Sequence, residues 1–156
     1  MAIIKSMNDW IATTERTLKT AGHRAGGART ALIEELARWD CCRSAQELHD
    51  ALTARERGIG IASVYRALDT LVELRLVQRI DVGDGISRFE PSVPSDHHHH
   101  VVCDECGKVE PFTDPPLEYA IAQASGRLGY RVEGHEVVLR GDCGDCRDGI
   151  PPAASG

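Results

Sequence analysis

Four of the six cysteines in this 156-residue chain form two Cys-x-x-Cys pairs, Cys103 with Cys106 and Cys143 with Cys146, and 36 residues lie between the pairs. Four thiolates arranged in two such pairs close a tetrahedral shell, which suits a structural Zn²⁺ ion. A redox motif of the thioredoxin type explains one pair but not two. The spacing therefore predicts a structural zinc site in the C-terminal half of the chain.

Four consecutive histidines, His97, His98, His99 and His100, precede the first cysteine pair. If this segment is a strand, alternate side chains point to opposite faces, so His98 and His100 share one face and His97 and His99 share the other. A solvated polar run is the other interpretation. Two faces next to a predicted zinc site favour two separate metal sites, since histidine is a common metal ligand.

The distribution of charge keeps nucleic acid among the candidate partners. The net charge is −6, which is unusual for a protein that binds DNA. Residues 1–95, however, carry 13 Lys/Arg and 13 Asp/Glu and are neutral, whereas residues 96–156 carry 5 and 11 and hold the whole excess. Phosphate responds to a local basic patch, so the first part can still bind DNA.

The sequence also bears on the compartment. No apolar run approaches the length of a membrane span, and the first residues lack the apolar core of a signal peptide. We therefore expect a cytoplasmic protein with no membrane partner, in which thiols stay reduced. Six cysteines in such a chain indicate metal or redox chemistry before disulfides.

Residues 1–91 have the outline of a winged helix-turn-helix. Apolar periodicity predicts helices over residues 9–20, 28–39 and 61–74. Another helix begins at Ser44, which forms a capping box with Glu47. Two short strands, 76–82 and 86–90, flank an Asp-Gly turn that is typical of a hairpin.

Residues 92–96 have the composition of a linker, and the pattern changes after them. Residues 97–148 are predicted to form a small α/β unit, and residues 149–156 a disordered tail. The predicted elements of this unit are strands 99–103, 107–112, 130–133 and 136–140, and a helix over 115–128. The fold class predicted for the whole chain is α+β. Open edges of such a short sheet favour pairing with a second copy.

Residues 21–146 resemble the ferric uptake regulator family, which includes iron, zinc, nickel and peroxide sensors. The resemblance is carried by the His-Cys block over 97–109, by Gly-Ile-Ala-Ser-Val-Tyr-Arg over 60–66, by Ser-Ala-Gln-Glu-Leu over 44–48, and by the last cysteine pair. It implies an N-terminal winged-helix DNA-binding domain, a C-terminal dimerisation domain and metal-dependent repression by a homodimer bound to double-stranded operator DNA.

The resemblance also implies a regulatory metal site formed by Glu90, His98 and His100. The family's remaining histidine ligand falls on Cys42, which is a departure. Because a thiolate softens the donor set, this substitution favours Zn²⁺ over Fe²⁺. Zinc sensors that resemble this chain, however, place an Asp near Gln78 and a Cys near Val93, and neither is present. Zinc and iron are therefore the main alternatives for the sensed metal, and nickel and manganese stay open.

A second family site, nearer the dimerisation domain, would use four residues that are all capable of binding metal here: His97, His99, Glu118 and His135. Sequence alone does not decide whether this site is occupied. Nor does it decide whether Cys41 and Cys42 are ligands, redox-active thiols or packed core residues.

The helix over 61–74 is the candidate DNA-reading helix, because the second helix of a helix-turn-helix lies in the major groove. Its residues predicted to contact DNA are Ser63, Tyr65, Arg66 and Thr70, and Arg29 is a candidate for contact with the DNA backbone. An arginine such as Arg66 can bind guanine through two hydrogen bonds. On an ordinary helix surface these side chains would simply be solvated.

Two other functions remain as alternatives. A peroxide sensor would oxidise its own ligands at a bound iron, which fits a Cys/Glu-containing set less well. A metal-dependent hydrolase would need an open metal position and a placed general base. The sequence contains no His-Glu-x-x-His helix, nucleophile elbow or phosphate loop, so we expect that the chain is not an enzyme.

Overall fold

The computed structural model describes residues 6–24, 26–94 and 96–149. The chain divides into two compact units, residues 1–96 and residues 97–156. Residues 150–156, most of the predicted disordered tail, lie outside the described residues. No helix in the described part of the chain is both long enough and apolar enough to cross a membrane.

The first unit contains four helices: α1 (Met7–Thr20), α2 (Gly27–Leu36), α3 (Ala45–Ala54) and α4 (Ile61–Glu73). Their apolar faces meet in one core that includes Trp10, Leu32, Leu48 and Leu68, each of them fully buried. The indole N–H of Trp10 donates to the backbone carbonyl of Leu76 at 2.8 Å. This bond satisfies the buried indole N–H of Trp10 and ties α1 to the chain that follows α4.

Three strands complete the first unit: β1 (Arg43–Ser44), β2 (Val77–Asp81) and β3 (Ser87–Pro91). They form an antiparallel sheet with the order β1-β3-β2. The β2–β3 hairpin agrees with the two predicted strands, and it is the wing of the winged helix. The short strand β1 was not predicted, because two residues carry no alternating pattern that could reveal it.

Helix α2 ends at Leu36, whereas the sequence predicted that it continues to residue 39. The prediction was wrong because Trp39 packs against the core from the loop instead of from the helix. Its indole N–H donates to Glu35 at 3.1 Å. The same buried carboxylate accepts from Arg55 at 2.8 Å and lies 3.8 Å from the Arg38 guanidinium, so two arginines compensate its charge.

The second unit contains β4 (His99–Cys103), β5 (Val109–Phe112), α5 (Pro115–Leu128), β6 (Val138–Gly141) and α6 (Gly144–Arg147). Strand β4 lies in the centre of the sheet, antiparallel to β5 and parallel to β6. Helix α5 begins at an Asp114 cap and ends at Gly129, whose φ of 71° is left-handed and favours glycine. An α+β fold with two units is thus confirmed.

The predicted strand over residues 130–133 is absent, and this prediction was wrong. After α5 the Tyr130 N–H still bonds to the Ser125 carbonyl, so the chain leaves the helix through its cap. Pairing with β4 begins only at Val138, on the side of β4 that β5 leaves free. The apolar, β-prone side chains of this segment are instead exposed, including 75% of Tyr130 and 48% of Val132.

Helix α3 depends on Ser44, the N-cap residue that directly precedes it. The Ser44 hydroxyl accepts from the Glu47 N–H at 3.1 Å, and the Glu47 carboxylate accepts from the Ser44 N–H at 2.7 Å. The predicted capping box is therefore confirmed. It fixes the start of α3 directly after β1, so it also fixes the position of the cysteines that precede β1.

We expect Ser44→Ala to lower the free energy of unfolding of the first unit by about 1 kcal/mol, because one helix N–H loses its acceptor. Ser44→Asp should retain most of the stability, because its carboxylate can accept the same bond. Both tryptophans, Trp10 and Trp39, lie in the first unit, so tryptophan fluorescence during urea unfolding reports on it alone. Equal stability of wild type and Ser44→Ala would contradict the role of the cap.

Candidate metal sites and nucleic-acid interface

The four cysteines of the predicted zinc site come together beside the sheet of the second unit. One sulfur from each of Cys103, Cys106, Cys143 and Cys146 lies within 4.8 Å of the others. Strands β4 and β6 run in parallel, and Cys103 stands opposite Gly141. Both cysteine pairs therefore leave the sheet at the same end. The cluster supplies the four-thiolate donor set of a closed zinc site.

Backbone amides donate hydrogen bonds to a sulfur of this cluster and favour its thiolate form, which binds cations. The N–H of Cys143 donates to the Cys103 sulfur at 3.3 Å. Hydrogen bonds from the N–H of Cys106, which has the larger effect, and from the N–H of Cys143 lower the pKa of the Cys103 thiol to about 6 and so favour its thiolate form. A hydrogen bond with Cys143 raises the pKa of Cys146 instead. A cation would displace the remaining thiol protons, so the donor set fits a divalent metal.

The residues predicted to form the second metal site also come together in the second unit. His99 Nε2 lies 2.5 Å from one oxygen of Glu118, and His135 Nε2 lies 2.9 Å from the other. His97 Nε2 lies 3.2 Å from His135 Nε2. His99 is buried, whereas His97 is exposed. The alternation predicted for the histidine run is thus present, and helix α5 supplies the carboxylate.

This cluster is hydrogen-bonded even without a metal. The Val137 N–H donates to His99 Nδ1 at 3.3 Å, so His99 Nε2 carries the proton that is shared with Glu118. That hydrogen bond and the nearby imidazoles lower the pKa of the Glu118 carboxyl. A neutral imidazole that ligates through Nε2 must carry its proton on Nδ1. A cation would therefore break the contact with Val137, although the donor types fit Zn²⁺ or Fe²⁺.

Two of the predicted regulatory ligands, Cys42 and Glu90, are buried in the first unit. Arg43 stands opposite Phe89 in the antiparallel β1–β3 pair, and one further step of that register places Cys42 opposite Glu90. Their ligand atoms lie within 4.8 Å of each other and of the Cys41 sulfur. Gln78 stands opposite Glu90 in the β2–β3 pair, and its side-chain amide donates a hydrogen bond to the Glu90 carboxylate.

The environment of Cys42 keeps its thiol protonated in the absence of a cation. A hydrogen bond with Cys41 and burial raise the pKa of Cys42 far above its usual range, and the charge of Glu90 acts in the same direction. Each of these effects disfavours another negative charge at this position. A divalent cation would reverse them, because it stabilises both the thiolate and the carboxylate.

The other two predicted regulatory ligands, His98 and His100, belong to the second unit. Their ring centroids are 5.0 Å apart, on the side of the chain opposite to the His97–His99 pair, as the alternation predicted. His100 is almost fully buried, whereas His98 is half-buried. Two imidazoles at this spacing can reach one ion.

The candidate DNA-reading helix α4 buries its apolar side, including Val64, Leu68 and Leu71. Its opposite side exposes Arg66 and half of Tyr65. The Arg66 guanidinium donates to the Ser63 hydroxyl at 3.2 Å, which orients it near the start of the helix. An exposed, oriented arginine on the second helix of a helix-turn-helix suits contact with a base edge or a phosphate.

Two other predicted DNA contacts differ in their accessibility. Thr70 is half-buried, and its hydroxyl donates to the Arg66 carbonyl, so it packs along the helix. Arg29 is half-buried on α2, and its Nε is buried without a hydrogen-bond partner in the described part of the chain. The part of its guanidinium that remains available is therefore smaller than the sequence suggested.

Comparisons with known proteins agree with this architecture. The model of the Ferric uptake regulator family matches residues 20–140. The ferric uptake regulation protein of Bordetella parapertussis is 33% identical over 133 residues, which cover 85% of this chain and 95% of that protein. The chain belongs to the ferric uptake regulator family. Proteins of this family are transcription regulators and not enzymes, so the alternative of a hydrolase is excluded.

Other members of the ferric uptake regulator family are equally similar to the chain. The peroxide operon regulator of Bacillus subtilis is 33% identical over 130 residues, covering 83% of this chain and 88% of that protein. The crystal structure of the Vibrio cholerae ferric uptake regulator superposes with a TM-score of 0.75 at 32% identity, covering 83% of this chain and 98% of that one. Overall similarity does not distinguish the signal that is sensed.

The structure adds two residues that the sequence analysis did not assign to a site. Cys41 lies beside Cys42 with its sulfur 3.8 Å away, and Gln78 holds the Glu90 carboxylate. The adjacent cysteines were visible in the sequence, but nothing there fixed the direction of their side chains. Gln78 gave no signal, because its partner is set by the register of the hairpin.

We expect Cys143→Ser to lose one bound metal ion per chain, because three sulfurs no longer close the shell. Asp145→Asn is the matched control, since this exposed residue lies between the two cysteines of the same pair. Metal content would be measured by mass spectrometry after gel filtration in a chelator. Equal content in Cys143→Ser and the control would contradict the assignment.

Proposed function

We propose that this chain is a metal-dependent repressor that binds double-stranded operator DNA as a homodimer and controls genes of metal homeostasis. The observation that carries the proposal is the position of two ligand pairs along the chain. Cys42 and Glu90 are buried together before residues 92–96, and His98 and His100 share one face after them. A cation bound by both pairs would restrain the first unit relative to the second.

The four-cysteine cluster supports a structural zinc ion. All four donor positions come from the protein, so no position is left for a substrate or a water molecule. This ion would supply a cross-link between β4 and the segment after β6. It would not respond to the metal supply, because a closed thiolate site of this kind exchanges its ion reluctantly.

The regulatory ion would be Zn²⁺ or Fe²⁺. Glu90, His98 and His100 suit either ion, and the Cys42 thiolate shifts the preference toward zinc. The cluster of His97, His99, Glu118 and His135 would be a second, weaker regulatory site, because a cation must first displace its internal hydrogen bonds. Regulation then follows from differential binding, since the ion stabilises the DNA-competent arrangement more than the others.

DNA recognition is assigned to helix α4. Tyr65 and Arg66 are exposed side chains of α4 that can contact DNA, Ser63 orients the arginine, and Thr70 and Arg29 would contribute at the margin. The neutral overall charge of residues 1–95 makes a defined contact more important than bulk attraction. A role on DNA and a set of cysteines suited to metal binding both favour the cytoplasm.

Dimerisation is assigned to the second unit. Helix α5 has no buried residue of its own, and the second unit exposes several large apolar side chains, namely Tyr119, Leu128, Tyr130 and Leu139. Apolar surface of this kind is typical of a protein–protein interface. A homodimer would cover it and would also present two copies of α4 to a palindromic operator.

A peroxide sensor is the second candidate, because a peroxide operon regulator is as similar to this chain as a ferric uptake regulation protein is. Such a sensor loses DNA binding irreversibly when iron and hydrogen peroxide are present together. A zinc- or iron-responsive repressor instead regains operator binding when the metal is restored. Operator binding before and after peroxide treatment, followed by a thiol reductant and fresh metal, separates the two functions.

We expect Arg66→Ala to weaken operator binding roughly ten- to a hundredfold, as loss of a contact worth about 1–3 kcal/mol implies. Arg16→Ala is the matched control, because it removes the same charge from an exposed position on α1 of the same unit. Metal content should be unchanged in both variants. Equal operator affinity of the two variants in gel-shift titrations would contradict the assignment of α4.

We expect the double variant His98→Ala/His100→Ala to keep the metal of the four-cysteine cluster and the dimer. It should lose most of the metal-dependent gain in operator affinity, a change of roughly ten- to a hundredfold for a typical coupling free energy. Gel-shift titrations with added zinc and with chelator measure this gain. If the double variant responds to metal as wild type does, the regulatory ion lies elsewhere, and the cluster around Glu118 becomes the candidate.

A further inference from the structure

We propose that Cys41 is itself a metal ligand, and that Cys41, Cys42 and Glu90 form a sulfur-rich half-site carried entirely by the first unit. The inference deepens the proposed function, because it adds a second thiolate to the regulatory site. The family resemblance supplies one ligand at this point of the chain, at Cys42. The adjacent cysteine is a feature of this sequence.

The distance between the two sulfurs matches ligation of one ion. Cys41 Sγ and Cys42 Sγ are 3.8 Å apart. Two sulfurs that each lie about 2.3 Å from a tetrahedral zinc are separated by about 3.8 Å. Within the four-cysteine cluster, Cys106 Sγ and Cys143 Sγ are 3.9 Å apart, which is nearly the same spacing. A disulfide would need about 2.05 Å, so the arrangement is that of a dithiol.

The Glu90 carboxylate, the third donor, lies close to both sulfurs. The ligand atoms of Cys41, Cys42 and Glu90 all lie within 4.8 Å of one another. The β1–β3 register places Glu90 opposite Cys42, and Gln78 restrains the carboxylate from β2. Two thiols alone would be ordinary core packing. Here a buried carboxylate oxygen lies within the same 4.8 Å as both sulfurs, so three donors of types that bind metal ions converge on one point.

Burial makes the half-site selective. Cys41, Cys42 and Glu90 are 5%, 0% and 3% exposed, so a bound ion would exchange most of its water for protein ligands. Two thiolates and one carboxylate are a soft donor set, which prefers Zn²⁺, Cd²⁺ or Co²⁺ over Mn²⁺ and Fe²⁺. The regulatory ion is therefore thiophilic, with zinc the physiological candidate of that class.

The direct test counts sulfur ligands at the regulatory ion in the unaltered protein. The full chain would be prepared with zinc retained in the four-cysteine cluster, and one equivalent of Co²⁺ would be added per chain. X-ray absorption at the cobalt edge should then show two sulfur neighbours for each cobalt. One sulfur neighbour or none would overturn the proposal, and no variant has to fold for this result to be obtained.

Variants provide the second measurement. Thiolate-to-cobalt charge-transfer absorption should fall to half in Cys41→Ser and in Cys42→Ser, and should vanish in the double variant. Affinity for Co²⁺ should fall at least about tenfold in Cys41→Ser, since even residues that only support ligands cost that much. Ser92→Ala, a nearby half-buried position, is the control and should match wild type. Wild-type absorption in Cys41→Ser would overturn the role of Cys41.

The outcome separates this inference from the proposed function. If each cobalt has two sulfur neighbours but operator affinity is the same with and without cobalt, the half-site is established and it has no regulatory role. If each cobalt has one sulfur neighbour and cobalt raises operator affinity, the site keeps its regulatory role but Cys41 is not one of its ligands.

Discussion

The second unit has very little apolar core, and the convergence of its four sulfurs is the constraint on which the rest depends. Its buried apolar residues in the described part of the chain are Val102, Cys103 and Val109. Burial of one such valine contributes about 1.5–3 kcal/mol, whereas a structural zinc contributes on the order of 10–16 kcal/mol in small domains. A metal cross-link therefore outweighs packing in this unit. It also holds β4 in place, and β4 carries His99 and His100, one member of each histidine pair.

The first unit is stabilised by apolar packing and does not depend on a metal ion for its core. Trp10, Leu32, Leu48 and Leu68 form a continuous core, and the metal-ligating side chains are additions to a fold that packs by itself. The β1–β3 pairing, only two residues long, brings Cys42 opposite Glu90. Because this unit packs by itself, it can bind or lose a metal ion without refolding the surface that carries α4.

Local patterns predicted most of the fold, the convergence of the four cysteines and the alternation of the histidines, whereas Glu118 and His135 were added by the family resemblance alone. The spacing of Cys103 and Cys106 reports a turn that lies within a few residues, and the two-residue period of a strand sorts His97 to His100 onto two faces. The capping box at Ser44 is equally local. These features needed no knowledge of the remote chain, and the structure bears them out.

Features set by remote pairing could not be predicted in this way. The two-residue strand β1 exists only because β3 is beside it, and Gln78 supports Glu90 only through the hairpin register. Residues 130–133 have the composition of a strand, but they pair with no strand in the part of the chain that the structure describes, so composition gave the wrong prediction. Trp39 has the spacing of a helix residue, yet it packs from a loop.

The central claim is that occupancy of the regulatory site controls the affinity for DNA. Its most direct test uses the wild-type dimer, with its structural metal retained, and a DNA duplex selected by the metal-loaded protein from a random library. Operator affinity would be measured by fluorescence anisotropy while free Zn²⁺, Fe²⁺ and Mn²⁺ are each buffered over a series of concentrations. The account predicts that Zn²⁺ raises the affinity roughly ten- to a hundredfold, at lower free concentrations than Fe²⁺ or Mn²⁺. Affinity that is the same with and without free metal would contradict it.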